Sequence, residues 1–373
     1  MFNISANVVK YSKLISFLLA FVGTWVILLG LPYLSSSSPF FSTANHAPAS
    51  TQEFQAGRQA AVGEIIKVME VEASEPIVAK PVSPTSEPGP GVFKIIIAGD
   101  VMLDRYIRKL GEQNGYDSLF TDIAPLLHTA DLAVVNLEGP ITNFPSKTLL
   151  PNGSTTPELV FTFSPATAPA LARAGIDLVS LANNHTDNFG LAGFEQTKEY
   201  LKQAGLNWFA NPWNSHGDSK TVCQKGICVA LVGYHEFREG FDNVLAEVRA
   251  LDSQVDLVIV MPHWGEEYIT EPSERLRGKA QALVTAGADL IVGAHPHVVM
   301  TREQIGQVPV FYSLGNFLFD QYFSVETMNG ELLEIDLVRD KATNKAKISQ
   351  ILVHGVSTAS HTGVTLTNNV DSI

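Results

Sequence analysis

The sequence has little cysteine and a shortage of positive charge, and both shortages exclude classes of protein. Two cysteines among 373 residues cannot form the disulfide framework of a small secreted scaffold. A single C-x4-C spacing also lacks the second pair that a structural zinc site needs. Lysine and arginine number 25 against 38 acidic residues, which gives a net charge of −13. Such a chain repels nucleic acid, so we expect no nucleic-acid partner, and an anionic substrate would need a bound cation.

The two cysteines, Cys223 and Cys228, flank a turn-like "QKG" in "TVCQKGICVALVG". An extracytoplasmic location permits a disulfide across this hairpin. Two reduced thiols fit the same pattern, so both alternatives stay open. We assign neither cysteine a chemical role.

Residues 14–34 form an uncharged apolar run that is long enough to cross a bilayer as a helix. Lys10 and Lys13 precede this run, and no further lysine or arginine occurs before Arg58. The positive-inside rule therefore predicts a cytoplasmic tail at 1–13 and a transmembrane signal anchor at 14–34. The expected location is the cell membrane, with a single pass and the globular part extracytoplasmic. Cleavage as a signal peptide near "STANHAPAS" is the alternative.

Three further regions follow the predicted anchor. Residues 35–91 are rich in Ser and Pro, which is typical of a disordered linker. Residues 92–360 are expected to form one domain, and 361–373 a tail. Within the domain, short apolar runs such as "KIIIAG" and "DLVIVMPHW" alternate with helical patterns such as "GLAGFEQTKEYLKQAGL". This alternation predicts an α/β fold with a largely parallel sheet, and the later alternating pattern after Asn329 predicts an antiparallel edge hairpin.

Most of the predicted strands end in a polar side chain that can bind a metal. Because the carboxyl ends of parallel strands meet at one edge, these residues should converge although they are far apart in sequence. Each one alone is more often a cap or a core residue, but repetition over several strands favours a shared site. The set consists of Asp100, Asn136, Glu138, Asn184, His185, His263, His295, His297 and Asn316.

Carboxylate, amide and imidazole ligands without thiolate suit Mn, Fe or Zn better than Ca. Two nearby carboxylates need a cation between them, so we predict one or two divalent ions. The predicted metal ligands are Asp100, Glu138, Asn184, His263, His295 and His297. His185 is the predicted general acid, and Arg105, Asn136 and Asn316 are predicted to contact substrate.

Residues 94–320 resemble the CapA-type poly-γ-glutamate capsule biosynthesis proteins, whose domain is similar to the calcineurin-like metallophosphoesterases. The resemblance rests on six segments in order: "GDVMLDR", "NLEGPIT", "LANNHTDNFG", "MPHWGEEY", "GAHPHV" and "YSLGNFLFDQ". It implies a four-layer α/β/β/α sandwich with metals at the strand ends.

The resemblance also implies roles for individual residues. Asp100 matches the first metal aspartate, Asn184 and His185 the Asn-His pair, and His263 the isolated histidine ligand. His295 and His297 match the closing pair, one for each metal. The sequence departs from the phosphoesterase pattern at Met102, where that pattern has histidine, and in lacking the bridging aspartate, for which Glu138 is the substitute.

These observations predict a membrane-anchored protein of capsule polymer synthesis or export with a phosphoesterase-like hydrolase domain. Its expected partners are an anionic polymer or phosphoester and the membrane proteins of capsule synthesis and export. Hydrolysis of the γ-amide of polyglutamate is a less favoured reaction. The alternative is a non-catalytic accessory that binds the polymer and assists its export or anchoring.

Overall fold

The computed structural model describes residues 91–372 apart from 151, 216, 341 and 342. The predicted cytoplasmic tail, the predicted anchor at 14–34 and nearly all of the predicted linker lie outside the described residues. Within the described part, no helix combines the length and the apolar character needed to cross a bilayer.

In the described part of the chain, fourteen strands form two β-sheets. In chain order they are β1 Phe93–Val101, β2 Leu132–Leu137, β3 Leu178–Ser180, β4 Asn207–Phe209, β5 Lys220–Gln224, β6 Ile227–His235, β7 Leu257–His263, β8 Leu290–Val292, β9 Glu303–Ile305, β10 Val308–Phe311, β11 Asn316–Leu318, β12 Asn329–Arg339, β13 Ala346–Ser357 and β14 Thr365–Ser372. The first sheet has the order β14-β13-β12-β1-β2-β3-β4, and β11 pairs with the end of β1. The second has the order β5-β6-β7-β8-β10-β9. Strands β1 to β4 are parallel to one another, as are β6, β7, β8 and β10.

Helices lie between the strands along the chain. They are α1 Arg105–Asn114, α2 Ala124–Leu127, α3 Thr167–Arg173, α4 Gly190–Gln203, α5 Phe241–Asp252, α6 Glu274–Ala286 and α7 Val325–Met328, with a 3-10 turn at Tyr116–Phe120. Helix α6 illustrates how the sequence sets the ends. The Ser273 hydroxyl caps its first turn by accepting from the Leu276 amide, and Gly287 ends it with a φ of 114°.

Alternate residues of the buried strands pack on opposite faces and form three apolar clusters. Ile95 of β1 and Ile259 of β7 belong to the cluster between the two sheets. Ile96 belongs to a second cluster with helices α1 and α4, and Val258 to a third with α5 and α6. A strand buried on both faces has no polar alternation, which explains the continuous apolar runs. The predicted α/β fold is confirmed, and its layers run helix, sheet, sheet, helix.

Two features of the C-terminal strands differ from expectation. The predicted hairpin forms as β12 and β13, but β14 pairs outside it, so the hairpin is not the edge. Residues 365–372, assigned from the sequence to a tail, therefore belong to the sheet. Strand β14 is mostly exposed, so its sequence lacks the apolar alternation that marks a strand.

The two cysteines form a disulfide between Cys223 and Cys228. They face each other across the β5–β6 hairpin. Of the two alternatives that the sequence leaves open, the bridged hairpin is the one present.

The carboxyl ends of the parallel strands of both sheets meet. Asp100 on β1 is in register with Asn136 on β2, and His235 on β6 with His263 on β7. The two sheets are joined at this end, because the Asn136 side chain lies 3.3 Å from Nδ1 of His263. The site is built at this junction.

Candidate metal centre

Glu138 follows strand β2, and its side chain is completely buried. Neither carboxylate oxygen accepts a hydrogen bond from any described residue. Three imidazole nitrogens surround Oε1: Nε2 of His297 at 3.6 Å, Nε2 of His263 at 3.9 Å and Nε2 of His185 at 4.0 Å. A buried carboxylate without a donor is costly unless a cation balances its charge.

His295 and His297 lie in the turn after β8, and both have positive φ, 100° and 59°. Residues other than glycine rarely adopt this backbone conformation, and strained backbone of this kind is often found at functional sites. The turn is fixed by the His295 amide, which donates to Oδ2 of Asp100 at 3.0 Å. The same oxygen lies 3.4 Å from Nδ1 of His297. Asp100 therefore holds the turn that places both imidazoles in the site.

His263 ends strand β7 and is surrounded by polar atoms. Its Nε2 lies 2.7 Å from Oδ1 of Asn184 and 3.1 Å from Nδ1 of His295. Its Nδ1 lies 3.3 Å from the Asn136 amide nitrogen, which also donates to Oδ1 of Asp100 at 2.7 Å. Three potential ligand atoms, from His263, His295 and Asn184, thus converge at one point.

The site contains two groups of potential metal ligands that share one carboxylate. Glu138 with His263 and His295 forms the first group, and Asp100 with Glu138 and His297 forms the second. Within each group the ligand atoms lie within 4.8 Å of one another, and all five residues are buried. Oxygen and imidazole ligands fit a divalent transition ion, and a carboxylate shared between two groups has the position of a bridging ligand.

Burial determines the charge states of these groups. It raises the pKa of Glu138 well above its usual range, and the negative charge of nearby Asp100 adds to this effect. Burial lowers the pKa of His263 well below its usual range, that of His295 to about 3 and that of His185 to about 4. Neutral imidazoles keep a lone pair available for a metal.

His185 lies at the edge of this centre. Oδ1 of Asn188 accepts from the Phe161 amide, so the contact at 3.1 Å between that oxygen and Nδ1 of His185 is a donation by His185. The ring packs on Phe161 at a centroid distance of 4.4 Å. Nε2 of His185 is therefore the atom that faces Glu138.

Asn316 and Asn136, which the sequence analysis predicts to contact substrate, have amides that are already engaged within the protein. Nδ2 of Asn316 donates to Gln321 and to the Thr327 carbonyl, so its Oδ1 accepts from Nδ1 of His297 at 3.0 Å. Asn136 bonds Asp100 and accepts from Asn183. Both amides orient potential ligands, and their contact with substrate stays a prediction.

Arg105 is largely buried and is not a solvated surface residue. Its guanidinium pairs with Asp320 and lies over the rings of Phe161 and Phe319 at 5.2 and 5.4 Å. Its Nε is buried without a hydrogen-bond partner among the described residues. Its φ of 50° adds another strained position near the site.

Sequence reasoning missed His235, at the end of strand β6. It is 2% exposed, its ring centroid lies 6.3 Å from that of His263, and its buried Nδ1 has no partner among the described residues. The signal was present, because "ICVALVGYH" is another buried strand that ends in histidine. Asn183 was also missed. It accepts from the amides of His185 and Thr186, and thereby shapes the turn that carries Asn184.

Fold and site together define a class: an α/β protein with two sheets and a buried carboxylate–imidazole centre that fits divalent metal. Residues 94–321 match the family described as bacterial capsule synthesis protein PGA_cap. The chain belongs to this family of CapA-type capsule biosynthesis proteins.

Among relatives, the chain is similar to the capsule biosynthesis protein CapA of Bacillus anthracis, with 32% identity over 268 residues, 66% of this chain and 64% of that protein. It is also similar to the PGA biosynthesis protein CapA of Bacillus subtilis, with 29% identity over 72% of this chain and 73% of that protein. A probable polyglutamine synthesis accessory protein of Mycobacterium tuberculosis is 25% identical over 72% of this chain and 86% of that protein. Among solved structures, a novel phosphatase from Mycoplasma pneumoniae aligns at 16% identity and a TM-score of 0.41 over 76% of this chain and 94% of that one.

Proposed function

We propose that this protein acts in the synthesis or export of an anionic capsule polymer as a metal-dependent phosphoester hydrolase. The observation that carries the proposal is the fully buried Glu138 carboxylate, which has no hydrogen-bond donor among the described residues and is shared by two groups of potential ligands. A structural carboxylate would have donors, whereas a bridging ligand needs its lone pairs for cations. One or two ions of Mn, Fe or Zn suit these residues.

The proposed ligands are those predicted from the sequence, with Asn184 beside His263 and Asp100 beside His297. Such ions, when bound, polarise a phosphoryl oxygen and lower the pKa of a water molecule. Water adds to phosphorus and releases a proton to solvent, the ester P–O bond breaks, and the leaving oxygen takes a proton. Nε2 of His185 is placed to carry that proton, because the charge of an entering phosphoester favours the imidazolium form.

The capsule role comes from family membership and from the names of the relatives. The proposed location is the outer face of the cell membrane, with residues 14–34 as an anchor and 1–13 in the cytoplasm. The proposed partners are the membrane proteins that synthesise and export the polymer. A polymer that is exported needs its processing and attachment proteins on that side of the membrane.

A second candidate is a non-catalytic accessory that binds the polymer through metal. Met102 favours it, because a buried thioether stands where the phosphoesterase pattern has a metal-binding histidine. Its sulfur accepts from the Asp104 amide at 3.1 Å, so it is engaged inside the protein. The Mycobacterium relative is also named an accessory protein.

The decisive experiment is metal analysis of purified protein, followed by hydrolysis of a generic phosphodiester with Mn, Fe or Zn. We expect bound metal, turnover that chelation abolishes, and loss of about 10²–10⁴ in kcat for His185→Gln with metal content unchanged. His128→Gln is the matched control, since His128 lies on the surface and contacts the Arg173 carbonyl.

Full turnover in metal-free protein would contradict the proposal. Metal without turnover, together with polymer binding that chelation abolishes, would favour the accessory role instead.

A further inference from the structure

Three exposed aromatic side chains surround the candidate metal centre, and we call Phe237, Tyr268 and Phe323 the aromatic rim. They are 49%, 44% and 65% exposed. Ile269 and Val325, which are close to them in sequence, are exposed by 46% and 64%. A cluster of large, exposed apolar side chains on a protein surface commonly marks a binding site.

The rim is in contact with the proposed metal ligands. The Phe237 ring lies edge-on to His295 at 4.5 Å, and the Tyr268 ring lies 6.3 Å from that of His297. Phe323 packs edge-on to Tyr268 at 5.2 Å. The rim therefore lies directly beside the residues that would hold the metal.

The rim is held in position by the backbone. The Tyr268 amide donates to the Pro296 carbonyl at 2.8 Å, which ties it to the turn between His295 and His297. Tyr268 has a φ of 66°, a strained value for a non-glycine residue. Gln321 donates from its side chain to the Tyr268 hydroxyl. The two hydrogen bonds hold Tyr268 in a strained backbone conformation, which indicates that the exposed position of its ring has a function.

The charge of the same segments argues against a polyanion. Residues 237–239, 266–271 and 323–326 contain the exposed glutamates Glu239, Glu266, Glu267, Glu271 and Glu326. The cation in these segments, Arg238, pairs with Asp187 at 2.6 Å. A chain with a repeating negative charge would be repelled here, whereas a ligand with its charge confined to the phosphoryl group would not.

We propose that the substrate of this site is the phosphoester of an amphiphile, with its phosphoryl group at the metal centre and its uncharged apolar chain on the aromatic rim. This rests on the proposed phosphoester hydrolysis and specifies its substrate class. Apolar contact provides affinity without charge, in proportion to the area removed from water.

The test uses metal-loaded protein and methyl, butyl and octyl phosphate, all below the micelle-forming concentration, with phosphate release as the readout. We expect kcat/KM for octyl phosphate to exceed that for methyl phosphate by about tenfold or more. Phe323→Ser should reduce this octyl-to-methyl ratio by about threefold or more, while Phe323→Leu should largely keep it. Phe323 is the best position because its ring contact among the described residues is with Tyr268, another member of the rim, and not with a proposed ligand. Val370→Ser, which removes a 53%-exposed side chain on strand β14, should leave the ratio unchanged.

Equal kcat/KM for all three phosphates, or an unchanged ratio in Phe323→Ser, would overturn the inference and leave phosphoester hydrolysis intact. Inhibition by oligo-γ-glutamate at concentrations below the KM of octyl phosphate would also overturn it. If no phosphate is released from these monoesters and the generic phosphodiester is not hydrolysed either, the proposed hydrolysis fails. The affinities of octyl and methyl phosphate, measured by calorimetry, then test the inference separately from hydrolysis. Tighter binding of octyl phosphate that weakens in Phe323→Ser supports the inference, and equal affinities overturn it.

Discussion

Oε1 of Glu138 lies 3.6 Å from Nε2 of His297, and the Glu138 carboxylate accepts no hydrogen bond from any described residue. Burial raises the pKa of Glu138, so its charged form is disfavoured without a cation. This arrangement fits a carboxylate and an imidazole that would bind the same divalent ion. It makes Glu138 the most informative residue for testing the metal centre.

Glu138→Gln should abolish stabilisation by metal while leaving the fold intact. A ligand at a hundredfold excess over its Kd raises the free energy of unfolding by about 2.7 kcal/mol. We expect this gain in the wild type and little of it in the variant. The measurement is thermal unfolding with and without a chelator, together with metal content. Glu158→Gln, at an exposed position, is the control; equal metal content in Glu138→Gln and wild type would refute a bridging role.

Asn316→Leu should weaken metal binding by about 10–100-fold, as expected when the partner of a ligating histidine is removed. Asn316 accepts from Nδ1 of His297 and so directs the lone pair of Nε2 toward Glu138. A titration with Mn or Zn measures the change. Asn368→Leu, at an exposed position on β14, should bind metal as the wild type does. An unchanged affinity in Asn316→Leu would mean that the His297 ring is held by its packing alone.

Variants of Arg105 and Asp320 can separate a structural role of Arg105 from a role in binding substrate. Arg105→Met leaves the buried Asp320 carboxylate without its cationic partner, although the Tyr106 amide still donates to it, and this should cost about 3–5 kcal/mol in the free energy of unfolding. The double variant with Asp320→Leu should recover most of this loss, because no uncompensated charge remains. If Arg105 also contacts substrate, the KM of the double variant should stay above that of the wild type. Equal KM values in the double variant and the wild type would contradict the predicted substrate contact.

Replacing both cysteines by serine should lower the free energy of unfolding by about 2 kcal/mol, as expected for a small closed loop. Denaturant unfolding with and without reductant measures this. Cys223 and Cys228 lie at the turn of the β5–β6 hairpin, whereas β6 reaches the site at its other end with His235. Metal content and turnover should therefore be unchanged. A loss of metal on reduction would show that the hairpin supports the site.

Much of the fold could be predicted because a strand that is buried on both faces has a continuous apolar run in its sequence. Runs such as "KIIIAG" and "DLVIVMPHW" have no polar face, and each became a central strand. Strand β14 could not be predicted, because an exposed strand is specified by its neighbour β13 and not by its own pattern. The disulfide depended on whether the two cysteines met across the hairpin, which spacing alone leaves undecided.

The sequence by itself determined which residue types stand at the ends of the buried strands, and therefore that carboxylates and imidazoles would collect at one edge. Only the tertiary structure decided which of these residues are grouped as potential metal ligands and which of them orient the ligands. It joined the ends of the two sheets, so that Glu138 is shared by His263 and His297, which lie on different segments. It also engaged Asn136 and Asn316 as orienting amides and paired Arg105 with Asp320. The physical reason is that strand periodicity fixes which face a side chain occupies, while partners across two sheets depend on three-dimensional packing.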